Sequence, residues 1–275
     1  MKLMYITNNP EIAKIAEESG VDWIFIDLEI LGKEERQGHL DTVISRHEFS
    51  DIKKIKDVLS KSQLLVRINP INDNSKYEVE TAINNGADII MLPFFKASNE
   101  VKKFIDLVGG RVETCLLLET PEAVNNIDDI LSVEGIDYIH IGLNDLHLGY
   151  HKKFMFELLT DGTTEYLISK ISKKEIIYGF GGIARLGLGD LPAEKILTEH
   201  QRLGSSMVIL SRSFCDLKKN TNLDDIKEIF EKGVREIRER IIKNKTLSYD
   251  DLVKNYNEIY EIVEKILKRN EENDK

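Results

Sequence analysis

Disulfide staples are out of reach for this chain. It has 2 cysteines in 275 residues, Cys115 inside an apolar run and Cys215 just after one. Both read as small hydrophobes in a reducing compartment. Positive charge is short as well, since 38 Lys and Arg against 48 Asp and Glu leave a formal net charge of -10. A nucleic-acid partner needs a basic stripe that releases counterions from phosphates, which an acidic chain does not offer. Long apolar runs are missing too. The opening "MKLMYITNNPEIAKIAEE" has one early lysine, a short apolar run and then Glu11, which reads as neither a signal peptide nor a membrane span. The expectation is a cytoplasmic protein with no membrane partner. No glycine-rich dinucleotide fingerprint follows the first apolar run, which argues against a nicotinamide cofactor.

What the chain does have is a 41% hydrophobic fraction arranged as short apolar runs with amphipathic segments between them. That is the pattern of strands buried on both faces of a parallel sheet. Eight runs read as strands: "LMYIT", "WIFIDLE", "LLVRINP", "DIIMLPF", "TCLLLET", "YIHIGLNDL", "IIYGFGGI" and "MVILSR". Between them "NPEIAKIAEESG" offers Asn9 as a cap, Pro10 in the first turn and Gly20 as a stop, and "KASNEVKKFIDLVGG" offers Ser98, Gly109 and Gly110 in the same roles. Alternating strands and helices predict a (β/α)8 TIM barrel, with a doubly wound open sheet as the alternative. Past residue 220 two helical segments follow without a strand between them. Their apolar stripes are Ile226, Ile229, Val234, Ile237 and Ile241, then Leu252, Tyr256, Ile259, Val263 and Ile266. The expected organisation is a barrel over 1–220, two additional C-terminal helices over 221–269 that cover the barrel or contact another subunit, and a disordered tail over 270–275.

Barrel active sites lie at the C-terminal ends of the strands, so polar residues that end apolar runs are the candidates. These are Glu29, Arg67, Glu119 and Asp145. A charge after such a run is paired, metal-bound or exposed at the barrel mouth. Glu119 and Asp145 end neighbouring runs, and two carboxylates sharing one volume suit a divalent cation such as Mg²⁺ or Mn²⁺. Each also sits where a helix cap would. Arg67 offers a planar two-pronged donor for a carboxylate or enolate oxygen, or forms a salt bridge with Asp27 or Glu29.

The segments "GVDWIFIDLE", "LLVRINP", "NNGADIIMLPFFKASNEV", "CLLLETPEAVNNIDDIL" and "GIDYIHIGLNDLHLG", in that order, resemble the HpcH/HpaI 2-keto-acid aldolase and citrate lyase β-chain family over about residues 15–215. The resemblance implies a barrel that binds pyruvate or a related 2-keto acid through a divalent metal and makes or breaks a carbon–carbon bond with an aldehyde. It makes Glu119 and Asp145 the metal ligands and Arg67 the group that steadies the enolate. No Schiff-base lysine is required, and the eight runs contain none. Relatives with terminal helices of this kind usually form symmetric homo-oligomers.

The chain departs from that family in two places. Aldolase members carry a histidine directly after the Asp-x-Glu of the second strand, where this chain has Ile30. His39, beside Asp41, is the first replacement for proton transfer, followed by His47 and His147; His140 reads as barrel interior, and His151 and His200 as helix residues. Lys33 and Arg36 resemble the basic pair of the citrate lyase branch and would do part of the binding of an anionic substrate, and Glu29 at the mouth is a further substrate-binding candidate. That leaves an acyl-CoA lyase, or a barrel kept only for ligand binding, as alternatives. The second departure is "YGFGGIARLGLGDLPAEKI", rich in glycine. Gly179, Gly181, Gly182 and Arg185, with Ser211, Arg212 and Ser213 after the eighth run, either bind an anion or simply form tight turns.

Overall fold

A computed structural model describes residues 1–32 and 46–273. Eight parallel strands close into a barrel in sequence order, with β8 pairing back onto β1. They are β1 (Lys2–Ile6), β2 (Trp23–Asp27), β3 (Gln63–Arg67), β4 (Ile89–Leu92), β5 (Glu113–Leu118), β6 (Tyr138–Ile141), β7 (Ile177–Ile183) and β8 (Met207–Leu210). The (β/α)8 expectation therefore holds and the open sheet does not. Apart from the glycine-rich β7, the strands are mostly β-branched or large apolar side chains because both faces are buried. Leu64, Val66, Ile90 and Ile139 pack outward against helices, while Phe25, Leu65, Met91, Cys115, Leu117 and Tyr138 fill the bore.

Around the barrel lie α1 (Pro10–Glu18), α2 (Phe49–Lys56), α3 (Ser75–Asn84), α4 (Ser98–Val108), α5 (Pro121–Asn125), α6 (Ile127–Ile130), α7 (Leu143–Gly149), α8 (Glu157–Thr160), α9 (Thr163–Ile171), α10 (Ala193–Arg202), α11 (Leu223–Asn244) and α12 (Tyr249–Asn273). Asn9 caps α1 by accepting the N–H groups of Glu11 and Ile12. On α4 the cap is Ala97 rather than Ser98. Glu100 accepts the Ala97 N–H at 3.0 Å, and Gly109 ends the helix at φ 60°, a left-handed conformation open to glycine at no cost.

The N-terminal end of the bore is sealed by polar pairing. Trp23 Nε1 donates to Gln63 Oε1, whose own amide donates to Glu113, and the Tyr138 hydroxyl donates to the other Glu113 oxygen.

α11 packs against α1 and α10, and α12 against α10 and α8. Ile226, Val234, Ile237, Ile259 and Val263 are buried there, while Ile229, Ile241, Leu252, Tyr256 and Ile266 of the same stripes are half-buried. α12 runs to Asn273, so residues 270–273, which read as disordered, continue the helix. Among the described residues no helix is long and apolar enough to cross a membrane.

Candidate active site

At the C-terminal end of the bore, β2 and β3 place Asp27 beside Arg67. Arg67 donates from Nε to Asp27 Oδ1 and from Nη2 to Asp27 Oδ2, both at 2.8 Å, and its Nε lies 3.4 Å from Glu29 Oε2. Its guanidinium also covers the Phe25 ring at 5.4 Å. Burial alone would lower the Arg67 pKa, but Asp27 and Glu29 outweigh it and hold the guanidinium above its ordinary value. Glu119 also attracts it, so the charges of three strands meet in this volume. The salt-bridge alternative raised by the sequence is thus real, and it fixes the arginine at the C-terminal end of the bore.

Glu29 lies two residues beyond β2, and its backbone N–H donates to Asp27 Oδ1 at 3.2 Å. The turn after it is clamped by Asn69, whose Oδ1 accepts the N–H groups of Ile30 and Leu31 at 2.9 and 3.0 Å. Glu78 holds Asn69 in turn through its N–H and its side-chain amide. The Ile30 side chain is 59% exposed.

Glu119 follows β5 directly and is buried. Thr120, not Glu119, caps α5, because its hydroxyl accepts the Ala123 N–H at 3.1 Å. Glu119 Oε1 instead accepts the N–H of Phe94 at 3.2 Å. Phe94 has φ 51°, a backbone state that bulky residues rarely take and that collects at functional sites. Gly142 makes room on the other side, since a Cβ there would stand 2.8 Å from Glu119 Oε2.

Asp145 does not end a strand as expected. β6 stops at Ile141, and Asp145 lies in the first turn of α7. Gly142 breaks the strand, and the run "LNDL" that looked like its continuation starts a helix. Glu119 and Asp145 nonetheless line one cleft of about 480 Å³, together with Phe94, Lys96, Thr120 and Leu148. Lys96 pairs with Glu122 at 3.1 Å. Among the described residues no three His, Cys, Asp or Glu side chains converge as an ion site.

Lys33, Arg36 and His39 lie outside the described residues. Of the other histidines, His47 reaches the mouth: its Nδ1 accepts the backbone N–H of Asp27 at 3.0 Å. His147 turns its Nδ1 onto the Asn144 carbonyl of its own helix. His140 is buried and His200 stacks on Phe180 at 3.8 Å. His151 follows α7 rather than lying in it, at φ 55°.

The glycines of β7 answer local packing. A Cβ at Gly179 would stand 2.2 Å from the Met207 carbonyl oxygen. The pairing with β8 shifts register between Gly179 and Gly182, and Gly181 has φ 54°. Past β8, Ser211 and Ser213 share a hydrogen bond at 2.7 Å, and Arg212 is exposed.

The Asn69–Glu78 clamp and Phe94 were missed from sequence. The signals were an Asn directly before Pro70 and the Pro93-Phe94-Phe95 turn.

Among proteins of known structure, an HpcH/HpaI aldolase from Desulfitobacterium hafniense superposes with a TM-score of 0.61 at 16% identity, covering 82% of this chain and 93% of that one. An HpcH/HpaI aldolase/citrate lyase family protein from Burkholderia cenocepacia gives 0.63 at 13%, covering 82% and 94%. These share the fold. The 2-keto-3-deoxy-L-rhamnonate aldolase of Escherichia coli K12 is 28% identical over 173 residues, 50% of this chain and 58% of that protein, so the match spans little more than half of that relative. With residues 2–173 matched to the family described as HpcH/HpaI aldolase/citrate lyase, and with the closed barrel around them, the chain belongs to that family.

Proposed function

We propose that this protein is a divalent-metal-dependent lyase of the aldolase type, acting on pyruvate or a related 2-keto acid and an aldehyde. The observation that carries this reading is that Glu119 and Asp145 line one open cleft at the C-terminal mouth of the barrel. Two hard carboxylates with space left for water and ligand fit Mg²⁺ or Mn²⁺, and the missing Cβ of Gly142 leaves the Glu119 carboxylate its room. When bound, the ion supplies Lewis-acid polarisation of the keto oxygen.

The chain's own groups do the remainder. Arg67, already fixed by Asp27 and Glu29, offsets negative charge as an enolate forms, and needs no reorganisation to do so. Asp27 stays committed to Arg67 and is no base. His47, with its Nδ1 accepting from the Asp27 N–H, carries its proton on Nε2 when neutral, so it can donate to an oxygen but not take a proton there. The barrel floor excludes water from below through the Trp23–Gln63–Glu113–Tyr138 network.

The test is exchange of the pyruvate methyl hydrogens in D₂O, followed by proton NMR, with Mg²⁺ or Mn²⁺ and again with a chelator. Exchange that requires the metal supports the reading. No exchange under either condition, or exchange unaffected by the chelator, defeats it. A panel of 2-keto-4-hydroxy acids against malyl-type thioesters then separates an aldolase from an acyl-CoA lyase.

A further inference from the structure

Among the described residues Asp27 is paired with Arg67 and the Nδ1 of His47 is taken by the Asp27 N–H, so neither receives the proton released on enolisation. On β6 the outward positions Ile139 and Ile141 pack against helices, so Tyr138 and His140 face the bore. His140 is 1% exposed. Its Nε2 lies 3.0 Å from the Gly181 carbonyl oxygen. A carbonyl only accepts, so Nε2 carries the hydrogen. Burial pushes the ring's pKa down to about 4, so it is neutral near pH 7 and Nδ1 is a bare acceptor. Among the described residues Nδ1 is buried and has no hydrogen-bond partner.

Its height in the barrel follows from the register. His140 pairs with Leu117 on β5 and Gly179 on β7. Two residues further along the same strands come Glu119 and Gly142, so close that a Cβ on Gly142 would stand 2.8 Å from Glu119 Oε2. His140 therefore stands one inward step, about 7 Å along the strand, below the Glu119 carboxylate. Arg67 acts on His140 from across the same volume. Phe25, Met91 and Leu117 complete the floor with no hydrogen-bonding group. A buried acceptor without a partner, one step below two charged groups, calls for a donor that a water or a ligand hydrogen can supply.

We propose that His140 is a positioning residue for the reaction: its Nδ1 holds one water at the floor of the mouth, and that water relays the proton of the 2-keto acid's methyl carbon. The C–H bond breaks, its electron pair passes into the enolate, the proton joins the water oxygen, and the water's other proton passes to Nδ1. Reversal returns the proton to carbon. The imidazole never touches the substrate and acts through the water. This rests on the 2-keto-acid reading above.

The experiment uses the full chain with Mg²⁺, pyruvate and D₂O, comparing wild type with His140→Phe and His140→Gln. Phenylalanine keeps the ring volume and loses Nδ1. Glutamine can still donate to the Gly181 carbonyl and accept from water, but takes no proton. Both variants are expected to bind oxalate with Mg²⁺ within about threefold of wild type and to exchange pyruvate hydrogens about 100-fold more slowly or worse, the usual contribution of a proton acceptor. Should His140→Phe fail to fold, His140→Gln decides alone. Exchange within threefold of wild type in either folded variant overturns the proposal, since volume or a hydrogen bond alone would then suffice. Wild type that fails to exchange pyruvate at all brings down the functional reading, and this relay with it.

Discussion

Arg67 grips Asp27 from the neighbouring strand through two parallel hydrogen bonds, each 2.8 Å long. The pair is almost dry, with the aspartate side chain 2% and the arginine side chain 12% exposed. Such a pair contributes little when complete, but removing one partner strands a buried charge, which costs about 3–5 kcal/mol. Arg67→Ala leaves Asp27 and Glu29 facing each other without a cation. A fall in unfolding free energy of that size, measured by urea denaturation, is expected, along with loss of metal-dependent pyruvate exchange. Arg67→Lys keeps the charge but not the fork, so it should recover most of the stability and little of the exchange. An unchanged midpoint in Arg67→Ala would mean that the two carboxylates are not held as described.

Glu17 makes a second buried carboxylate answerable to pH. Its Oε1 accepts the backbone N–H groups of Ser60, Lys61 and Ser62, and its Oε2 the Ser60 hydroxyl. Burial alone would raise its pKa, but these donors outweigh burial and hold it below the ordinary glutamate value. A depressed folded pKa gives stability that is present above the unfolded value, about 4.3, and is lost as pH falls through the folded one. Glu17→Gln should therefore be less stable than wild type at pH 7 by about 1–3 kcal/mol. The gap should close as both are unfolded in progressively more acid buffer. A gap that is constant with pH would show that the charge of Glu17 is immaterial.

Glu119→Gln and Asp145→Asn probe the cleft with its volume held fixed. Glutamine can still accept the Phe94 N–H, so the backbone at φ 51° keeps its anchor and the fold should persist. Replacing one hard anionic donor of two should weaken Mn²⁺ binding by an order of magnitude or more. Calorimetric titration of Mn²⁺ into each variant checks this. Wild-type affinity in both variants would put the ion elsewhere.

The barrel was legible because each strand is buried on both faces, so "LLVR" and "IIML" could hardly be anything else. Arg67, Glu29 and Glu119 were legible as charges that such runs cannot leave inside unpaired. Asp145 was assigned to the mouth for the wrong local reason, since "YIHIGLNDL" hides the point where Gly142 turns strand into helix. Contacts that depend on backbone groups far along the chain were not legible. The Asp27 N–H donates to His47 twenty residues away, and Asn69 clamps a turn nearly forty residues before it. Nothing in a residue's own neighbours encodes such a partner. The glycines of β7 left an anion site and tight turns equally open because sequence cannot distinguish close strand packing from an anion's approach, and the Met207 carbonyl beside Gly179 accounts for that glycine by packing.

Gly142→Ala tests the cleft from its wall. Glycine here has φ -82°, which alanine adopts freely, so any effect comes from the added methyl group rather than from backbone strain. That methyl would stand 2.8 Å from Glu119 Oε2 and 2.9 Å from Glu119 Cβ, closer than a carbon accepts, and a tight 3.2 Å from Leu117 Cδ1. Leu117 and the Glu119 Cβ are fixed by the bore and by β5, so the movable part is the carboxylate, which is pushed off the Phe94 N–H. Overpacking of this kind costs about 1–3 kcal/mol. Divalent-ion affinity should fall more than stability does, because one of the two cleft carboxylates is displaced. Double substitution with Glu119→Gln separates the two effects: the loss of Mn²⁺ affinity should not add, since both changes act on one carboxylate. Full additivity would mean that Gly142 acts on the ion by some route other than Glu119.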